Sequence, residues 1–576
     1  MSRENELYEL WLKKTENDAE LNEELKAVEG KAEEIADRFY RNLEFGTAGL
    51  RGVLGAGTNR VNMYTTNQVT QGLSDFLNQE YTDPTVAIAY DSRINSTLFA
   101  KESACVLAAN GIKAYIFPAL MPTPMLSFAV RRLKCQSGII ITASHNPAKY
   151  NGYKCYDPQG YQMTDEAAQK TYEFIKKTDI FDGVKKIDFD EGVAKGKIVF
   201  IEPWLNEEFY QKVLAQSVNP NVCSACALKL IYTPLNGAGN VPVREIFGRM
   251  GLKDVAVVPE QEHPDGNFPT CPFPNPEIRQ AFEYALKMTQ TNHADLLLAT
   301  APACDRVGVA VRDKDDYKLL SGNEVGALLA EYVLSSKTAN GTLPKNPLII
   351  KSFVTTDLVV VLAKKYGCEV VDLLTGFKYI GEYITNLEKK GEQDRFILGM
   401  EESYGYLAGT HARDKDAVVA SMLICEMAVF YKAQGKTLVD VMDEIYREHG
   451  RYLNTVLNFS FEGESGMIKM QQIMSVLRAQ APSAIAGMPV LKISDYELGT
   501  TTEPATGLKA AIELPKSNVL AYRLPGGNGV IVRPSGTEPK IKVYITACAK
   551  EKSAAEQLAE KIGHDMKNIL HIETLS

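Results

Sequence analysis

From about residue 86 the chain alternates short apolar runs with longer amphipathic stretches. Residues 86–90 (Val-Ala-Ile-Ala-Tyr) are too few for a buried helix and stop at Asp91-Ser92-Arg93, so they read as a buried strand ending in a turn. A helix is predicted through 100–109, then strands over 113–117 and 138–142. This rhythm predicts a mostly parallel sheet flanked by helices. It recurs. Residues 228–232 run into Pro234-Leu235-Asn236-Gly237-Ala238-Gly239, and strand-like runs follow at 254–258 and 295–299, then at 348–350, 369–372 and 395–399. Three similar α/β units are expected, within 1–205, 206–322 and 323–455. The last stretch, 456–576, has a different pattern. Residues 454–461, 528–533 and 540–546 alternate as antiparallel strands do, and a helix closes the chain at 553–568, which predicts an α+β domain. Before all of this, Leu7, Leu10, Trp11, Leu21, Leu25 and Val28 are spaced for one or two amphipathic helices.

Composition narrows the class without changing this picture. The chain has 576 residues, 45% hydrophobic and 23% charged, with a mean hydropathy of -0.17, the balance of a soluble multidomain protein. A net charge of -9 argues against a nucleic-acid-binding body but leaves room for a local basic pocket that takes a small anion. Apolar runs such as 417–423 fall far short of a membrane span, and the first residues, Met-Ser-Arg-Glu-Asn-Glu, lack the apolar region of a signal peptide. The expectation is a cytoplasmic protein with no membrane and no nucleic-acid partner. Ten scattered cysteines read as reduced core residues. Cys223 and Cys226 have C-x-x-C spacing, but neither a second pair nor a histidine cluster completes a zinc site.

In open α/β sheets the chemistry sits beyond the carboxyl ends of strands. Four such loops stand out. Thr142-Ala143-Ser144-His145-Asn146-Pro147 offers Ser144 as a nucleophile or phosphoryl carrier, or as a helix N-cap. Ala299-Thr300-Ala301-Pro302-Ala303-Cys304-Asp305-Arg306 offers Asp305 as a magnesium ligand, or as a turn aspartate paired with Arg306. Gly399-Met400-Glu401-Glu402-Ser403-Tyr404-Gly405 suits recognition of sugar hydroxyls, or an acidic helix start. Arg533-Pro534-Ser535-Gly536-Thr537-Glu538-Pro539-Lys540 has the parts of a phosphate cradle, or of a plain turn between strands.

Taken together, and in this order, these motifs resemble the α-D-phosphohexomutase superfamily in its long phosphoglucomutase/phosphomannomutase branch. The resemblance runs from about Leu43 to Tyr544. The hexapeptide around Ser144 resembles the phosphoserine loop. Glu44-Phe45-Gly46-Thr47-Ala48-Gly49-Leu50-Arg51-Gly52 resembles the entry motif whose arginine faces the site. Thr375-Gly376-Phe377-Lys378 and the Glu401–Ser403 segment resemble sugar-reading segments, and the Arg533 loop resembles a phosphate-binding loop. The resemblance implies an α/β, four-domain phosphohexomutase architecture: three similar mixed α/β domains and a C-terminal α+β domain around a central cleft. It implies interconversion of glucose 1-phosphate and glucose 6-phosphate through phosphorylated Ser144 and a bisphosphorylated sugar. It also implies one Mg²⁺ per site and glucose 1,6-bisphosphate as activator, with sugar phosphates as the small-molecule partners. Lys154 matches a family lysine proposed for acid/base work. His145, Lys378 and Lys415 would serve proton transfer or phosphate contact. Thr375, Gly376, Glu401, Ser403, Arg306, Arg533, Ser535, Gly536 and Thr537 would bind substrate.

One departure bears on activity. The family's metal loop reads D-x-D-x-D-R, whereas alanine stands here at 301 and 303, leaving Asp305 and the phosphate of Ser144 as ligands. Alanine cannot coordinate a hard cation, so Mg²⁺ should bind poorly and the mutase reaction should be impaired. The alternatives are a sugar-phosphate-binding protein without turnover, a family member acting on mannose or pentose phosphates, and one making glucose 1,6-bisphosphate.

Overall fold

A computed structural model describes residues 2–46, 48–461, 463–535 and 540–572. The chain forms two compact bodies, one of Met1–Gly322 with Phe377–Gly435, the other of Asn323–Gly376 with Lys436–Ser576. The stretch expected as a third unit therefore contributes to both.

In the first body the leading sheet contains β1 (Gly49–Val53), β2 (Thr85–Tyr90), β3 (Lys113–Ile116), β4 (Ser137–Ile141), β5 (Tyr150–Tyr156) and β6 (Ile198–Phe200), in the order β1-β5-β4-β2-β3-β6. Strands β4, β2, β3 and β6 are parallel, whereas β5 runs antiparallel to both β4 and β1. Every residue of β4 is buried, as is all of β2 after Thr85, which is why both are unbroken apolar runs. Helices Met63–Glu80, Ser96–Ala109 and Thr123–Arg132 cover this sheet, the first fixed by an Asn62/Thr65 capping box.

A second sheet follows with β7 (Lys229–Thr233), β8 (Asp254–Val257), β9 (Leu296–Thr300), β10 (Val307–Asp313) and β11 (Asp316–Leu320), in the order β11-β10-β9-β7-β8. Its three predicted strands are parallel, and the hairpin β10–β11 adds an antiparallel edge. Strands β12 (Leu348–Ser352) and β13 (Glu369–Leu373), a parallel pair, lie in the second body, while the hairpin β14 (Phe396–Glu401) and β15 (Gly405–Leu407) lies in the first. Helix Ala417–Lys432 is apolar nearly all round and starts at Asp416, whose carboxylate accepts the N–H groups of Val418 and Val419.

The N-terminal tract folds as three helices, Arg3–Lys14, Ala19–Ala27 and Ala32–Phe39, and not one or two. Thr15 ends the first by donating its hydroxyl to the Trp11 carbonyl, and Asp18 restarts the chain by capping Leu21. Fully buried Trp11 meets Phe39, Tyr64 and Phe181 edge to face and so fastens the tract to its neighbours.

The second body is built on β16 (Arg451–Ser460), β19 (Lys492–Asp495), β20 (Thr500–Thr502), β21 (Lys509–Ala511), β22 (Leu520–Arg523), β23 (Gly529–Pro534) and β24 (Lys540–Ala549), with a small hairpin of β17 (Ala484–Ile485) and β18 (Met488–Pro489). The large sheet is antiparallel in the order β16-β24-β23-β22-β19-β20-β21. Leu477 of helix Gly463–Ala479 and Ile562 of helix Lys552–Ile569 join Val532 and Val543 in its core.

Candidate functional site

The loop after β4 carries Ser144 in the left-handed region, with φ of 55° and only 4% exposure. A strained, buried serine needs surroundings that hold it. Thr142 Oγ1 accepts the Ser144 N–H at 2.9 Å and donates to Asp91 Oδ2 at 2.5 Å. The buried Arg93 guanidinium donates to the carbonyls of Ser144 (2.8 Å), Asn146 (2.5 Å), Pro147 and Tyr150 (both 3.0 Å). The chain continues into β5 and not into a helix, so Ser144 is no N-cap. Asp91 and Arg93, read from sequence only as a turn, are thus the residues that shape the serine loop. The available signal was their place: they end β2, and β2 lies beside β4.

Two side chains flank the Ser144 hydroxyl. His145 Nδ1 is 3.3 Å from Oγ, and Asp305 Oδ1 accepts from it at 3.4 Å. The other Asp305 oxygen faces Lys415 Nζ at 3.7 Å. Lys415 is itself anchored, because its ammonium donates to Asp414 Oδ1 at 2.9 Å and Tyr156 donates its hydroxyl to Asp414 Oδ2 at 2.6 Å. The Lys415 ammonium also lies 5.4 Å from the centre of the Phe377 ring. Arg306 pairs with Glu277 at 2.7 Å and donates to the Ser403 carbonyl at 3.0 Å. Its buried Nε–H has no acceptor among the described residues.

The charges around Ser144 are mutually dependent. Burial pushes the Asp305 carboxyl up, but Lys415, Arg306 and Lys154 outweigh it and hold the group below its usual range. Burial lowers Lys415, yet Asp414, Asp305 and Glu401 prevail and it is pushed up to about 12. Burial lowers Lys154 more than Asp305 raises it, so this lysine gives up its proton more readily than an ordinary one. His145 is driven well below the usual histidine range by burial and by Arg306, Arg51, Lys154 and Arg93, and is a neutral imidazole near neutral pH.

The loop 301–306 between β9 and β10 does not fit a divalent cation. Ala301 and Ala303 are fully buried methyl groups, and Asp305 is the loop's lone carboxylate. The backbone does not compensate. The carbonyls of Ala301, Pro302, Ala303 and Cys304 are directed at the N–H groups of Cys304, Ala238, Thr123 and Ala417. No cluster of three or more acidic, histidine or cysteine side chains suited to a metal occurs among the described residues. The loop is nevertheless rigidly placed. A Cβ on Gly237 would come within 2.4 Å of Pro302 Cα, so only glycine permits that approach.

The other predicted residues divide among the two bodies. Arg51 lies on β1, opposite Gly152. Glu401, at the end of β14, is buried and acts electrostatically on both Arg306 and Lys415. Its segment is a hairpin turn and not a helix start. Lys378 extends to Asp165, pairing at 2.6 Å. Thr375 and Gly376 belong to the second body, where Gly376 has φ of 119°. There too, Arg533 lies on β23 and Ser535 follows it, its N–H donating to the Lys540 carbonyl at 2.7 Å. Gly536 and Thr537 lie outside the described residues, as does Thr47 of the entry motif. Cys223 and Cys226 are free thiols.

Phosphoglucomutase/phosphomannomutase alpha/beta/alpha domains I, II and III match residues 42–180, 207–314 and 321–449, and the C-terminal domain matches 500–563. The chain belongs to the phosphoglucomutase/phosphomannomutase family. Among family members, the phosphoglucomutase of Staphylococcus saprophyticus subsp. saprophyticus is 38% identical over 507 residues, 88% of this chain and 90% of that protein. The phosphoglucomutase of Staphylococcus aureus strain MRSA252 is 35% identical over 547 residues, 93% of this chain and 95% of that protein. The fold matches a putative phosphomannomutase from Thermus Thermophilus with a TM-score of 0.68 at 21% identity, over 92% of this chain and 99% of that one. It also matches the open form of the Paramecium phosphoglucomutase pp63/parafusin with a TM-score of 0.69 at 18% identity, over 92% and 96%. Among the described residues no helix is long and apolar enough to cross a membrane.

Proposed function

We propose that this family member is a phosphoglucomutase that interconverts glucose 1-phosphate and glucose 6-phosphate through phosphorylated Ser144. The observation that carries the reading is the buried, left-handed Ser144, held by Thr142 and Arg93 among Lys415, Lys154 and Arg306. In the forward step a sugar hydroxyl oxygen bonds to the phosphorus as the Ser144 Oγ–P bond breaks. The hydroxyl proton passes to a base, and serine recovers a proton. Lys154 in its neutral form suits the base, because burial has already weakened its hold on its proton. The bisphosphate then turns over and returns its other phosphoryl group to Ser144, which completes the exchange. Arg306 and Lys415 neutralise the charge of the group in flight. Glu401 and Ser403 with Thr375 and Gly376 would read the sugar hydroxyls. Arg51 would meet the entering phosphate, and Arg533, Ser535, Gly536 and Thr537 would hold the phosphate that does not react. Four domains, at 1–205, 206–322, 323–455 and 456–576, would share this work. A cytoplasmic setting and activation by glucose 1,6-bisphosphate belong to the same reading.

The buried methyl groups of Ala301 and Ala303 favour a second reading, in which sugar phosphates bind and turnover is slow or absent. Incubation with glucose 1-phosphate and glucose 1,6-bisphosphate, with glucose 6-phosphate measured by a coupled dehydrogenase, separates the two. Product lost in Ser144→Ala supports the mutase. Binding without product supports the second reading.

A further inference from the structure

The loop that the resemblance assigns to the metal stands here without two of its carboxylates, yet Lys415, Arg306 and Lys154 all act on its remaining one, Asp305. We infer that the phosphate-binding site at Ser144 is neutralised by the protein's own cations, with the Lys415 ammonium taking the place of a divalent ion. This rests on the reading of Ser144 as the phosphoryl carrier.

Three observations lead there. The first is the donor set: one carboxylate, two buried methyl groups, and four loop carbonyls already engaged by backbone N–H groups. A small hard cation needs several oxygens, and this loop gathers too few. The second is the position of Lys415. Asp305 presents one oxygen to Ser144 Oγ at 3.4 Å and the other to Lys415 Nζ at 3.7 Å, so the ammonium lies across the carboxylate from the serine. Asp414, tied to Tyr156, fixes that ammonium at 2.9 Å. Room for the stem comes from Gly405, where a Cβ would stand 2.1 Å from Lys415 Cδ. The third is the spare donor capacity. The buried Nε–H of Arg306 has no acceptor among the described residues, and Lys154 acts on the same Asp305. A phosphate dianion entering here meets donors and positive charge. A divalent cation meets three cationic side chains and one loop carboxylate, Asp305, while the neighbouring Asp414 is already paired with the Lys415 ammonium.

Calorimetry with glucose 1,6-bisphosphate tests this, using the full chain in EDTA and then in Mg²⁺. The expected dissociation constants agree within about twofold. Lys415→Gln should weaken binding by roughly 10- to 100-fold, with Lys415→Arg close to the parent, in keeping with loss of a charged hydrogen bond. Water-proton relaxation with Mn²⁺ should show no site stoichiometric with protein, with or without the bisphosphate. Should Lys415→Gln fail to fold, the unmodified chain still decides the matter through the EDTA and Mn²⁺ measurements. Tightening by Mg²⁺ of more than about tenfold, or a stoichiometric Mn²⁺ site, overturns the inference while leaving Ser144 as carrier. No binding of the bisphosphate in either buffer overturns the carrier reading, and the inference with it.

Discussion

His145 and Lys154 owe their lowered proton affinity first to burial, reinforced around His145 by positively charged neighbours and opposed at Lys154 by Asp305. Burial and four cationic side chains keep His145 uncharged in the folded protein. Its folded pKa is below its unfolded one, so as pH falls through ~6.5 the unfolded chain takes up a proton that the folded chain refuses, and stability declines. The His145 ring resonances should therefore stay constant between about pH 6 and 8 in NMR, where a solvated histidine titrates. Lys154 is shifted in the same direction by burial. Unfolded protein binds the extra proton between the folded value and ~10.4, so this lysine makes stability rise with pH across that window. In the proposed reaction the neutral Lys154 amine is the base, so turnover should climb on the alkaline side. Lys154→Arg, which stays charged, should flatten that limb in a pH–rate profile. Gly405→Ala makes a third case. Its Cβ would meet Lys415 Cδ at 2.1 Å and Cγ at 2.6 Å. The side chain must swing away from buried Asp414 and Asp305, so sugar-phosphate affinity and the melting temperature should both fall, as calorimetry and a thermal melt would show.

At the scale of elements, the serine loop depends on two strand ends at once. Arg93, from the end of β2, is bonded to four carbonyls of the segment that follows β4, and its guanidinium shares a fully buried ion pair with Asp91. Arg93→Met should cost about 3–5 kcal/mol, since it strands a buried carboxylate. Amide exchange at 144–150 should quicken more than elsewhere, which denaturant melts together with hydrogen exchange would check. This pair shows what sequence alone conveys and what it does not. Strands β2, β4 and β9 were legible because burial on both faces makes them continuous apolar runs, and their observed ends differ from the expected ones by a residue. Strand β11, Asp-Tyr-Lys-Leu-Leu, was not, because it forms by pairing with β10 and its charged Asp316 and Lys318 break up any apolar run. The serine and metal loops stood out by motif. The Asp91–Arg93 clamp did not, since its meaning depends on β2 and β4 being neighbours, and residues 91 and 144 are far apart along the chain. The three N-terminal helices were half legible: the apolar spacing is there, but the breaks at Thr15 and Asp18 depend on side-chain hydrogen bonds.

Across the whole molecule, a family scaffold is retained while one loop has lost the carboxylates the resemblance assigns to it. The four family domains match in order, and His145 and Asp305 both approach the Ser144 hydroxyl. Ala301→Asp with Ala303→Asp should therefore create a requirement for Mg²⁺ and raise the mutase rate together with it, as a metal titration of both proteins would show. All of this turns on the proposed role of Ser144 as the carrier of the phosphoryl group. Intact-mass spectrometry after incubation with glucose 1,6-bisphosphate tests it most directly, with peptide mapping to locate the label. One added phosphoryl group per chain is expected, on the peptide containing Ser144, and none in Ser144→Ala. Stoichiometric phosphorylation that persists in Ser144→Ala, or that maps to another residue of the parent, would contradict it.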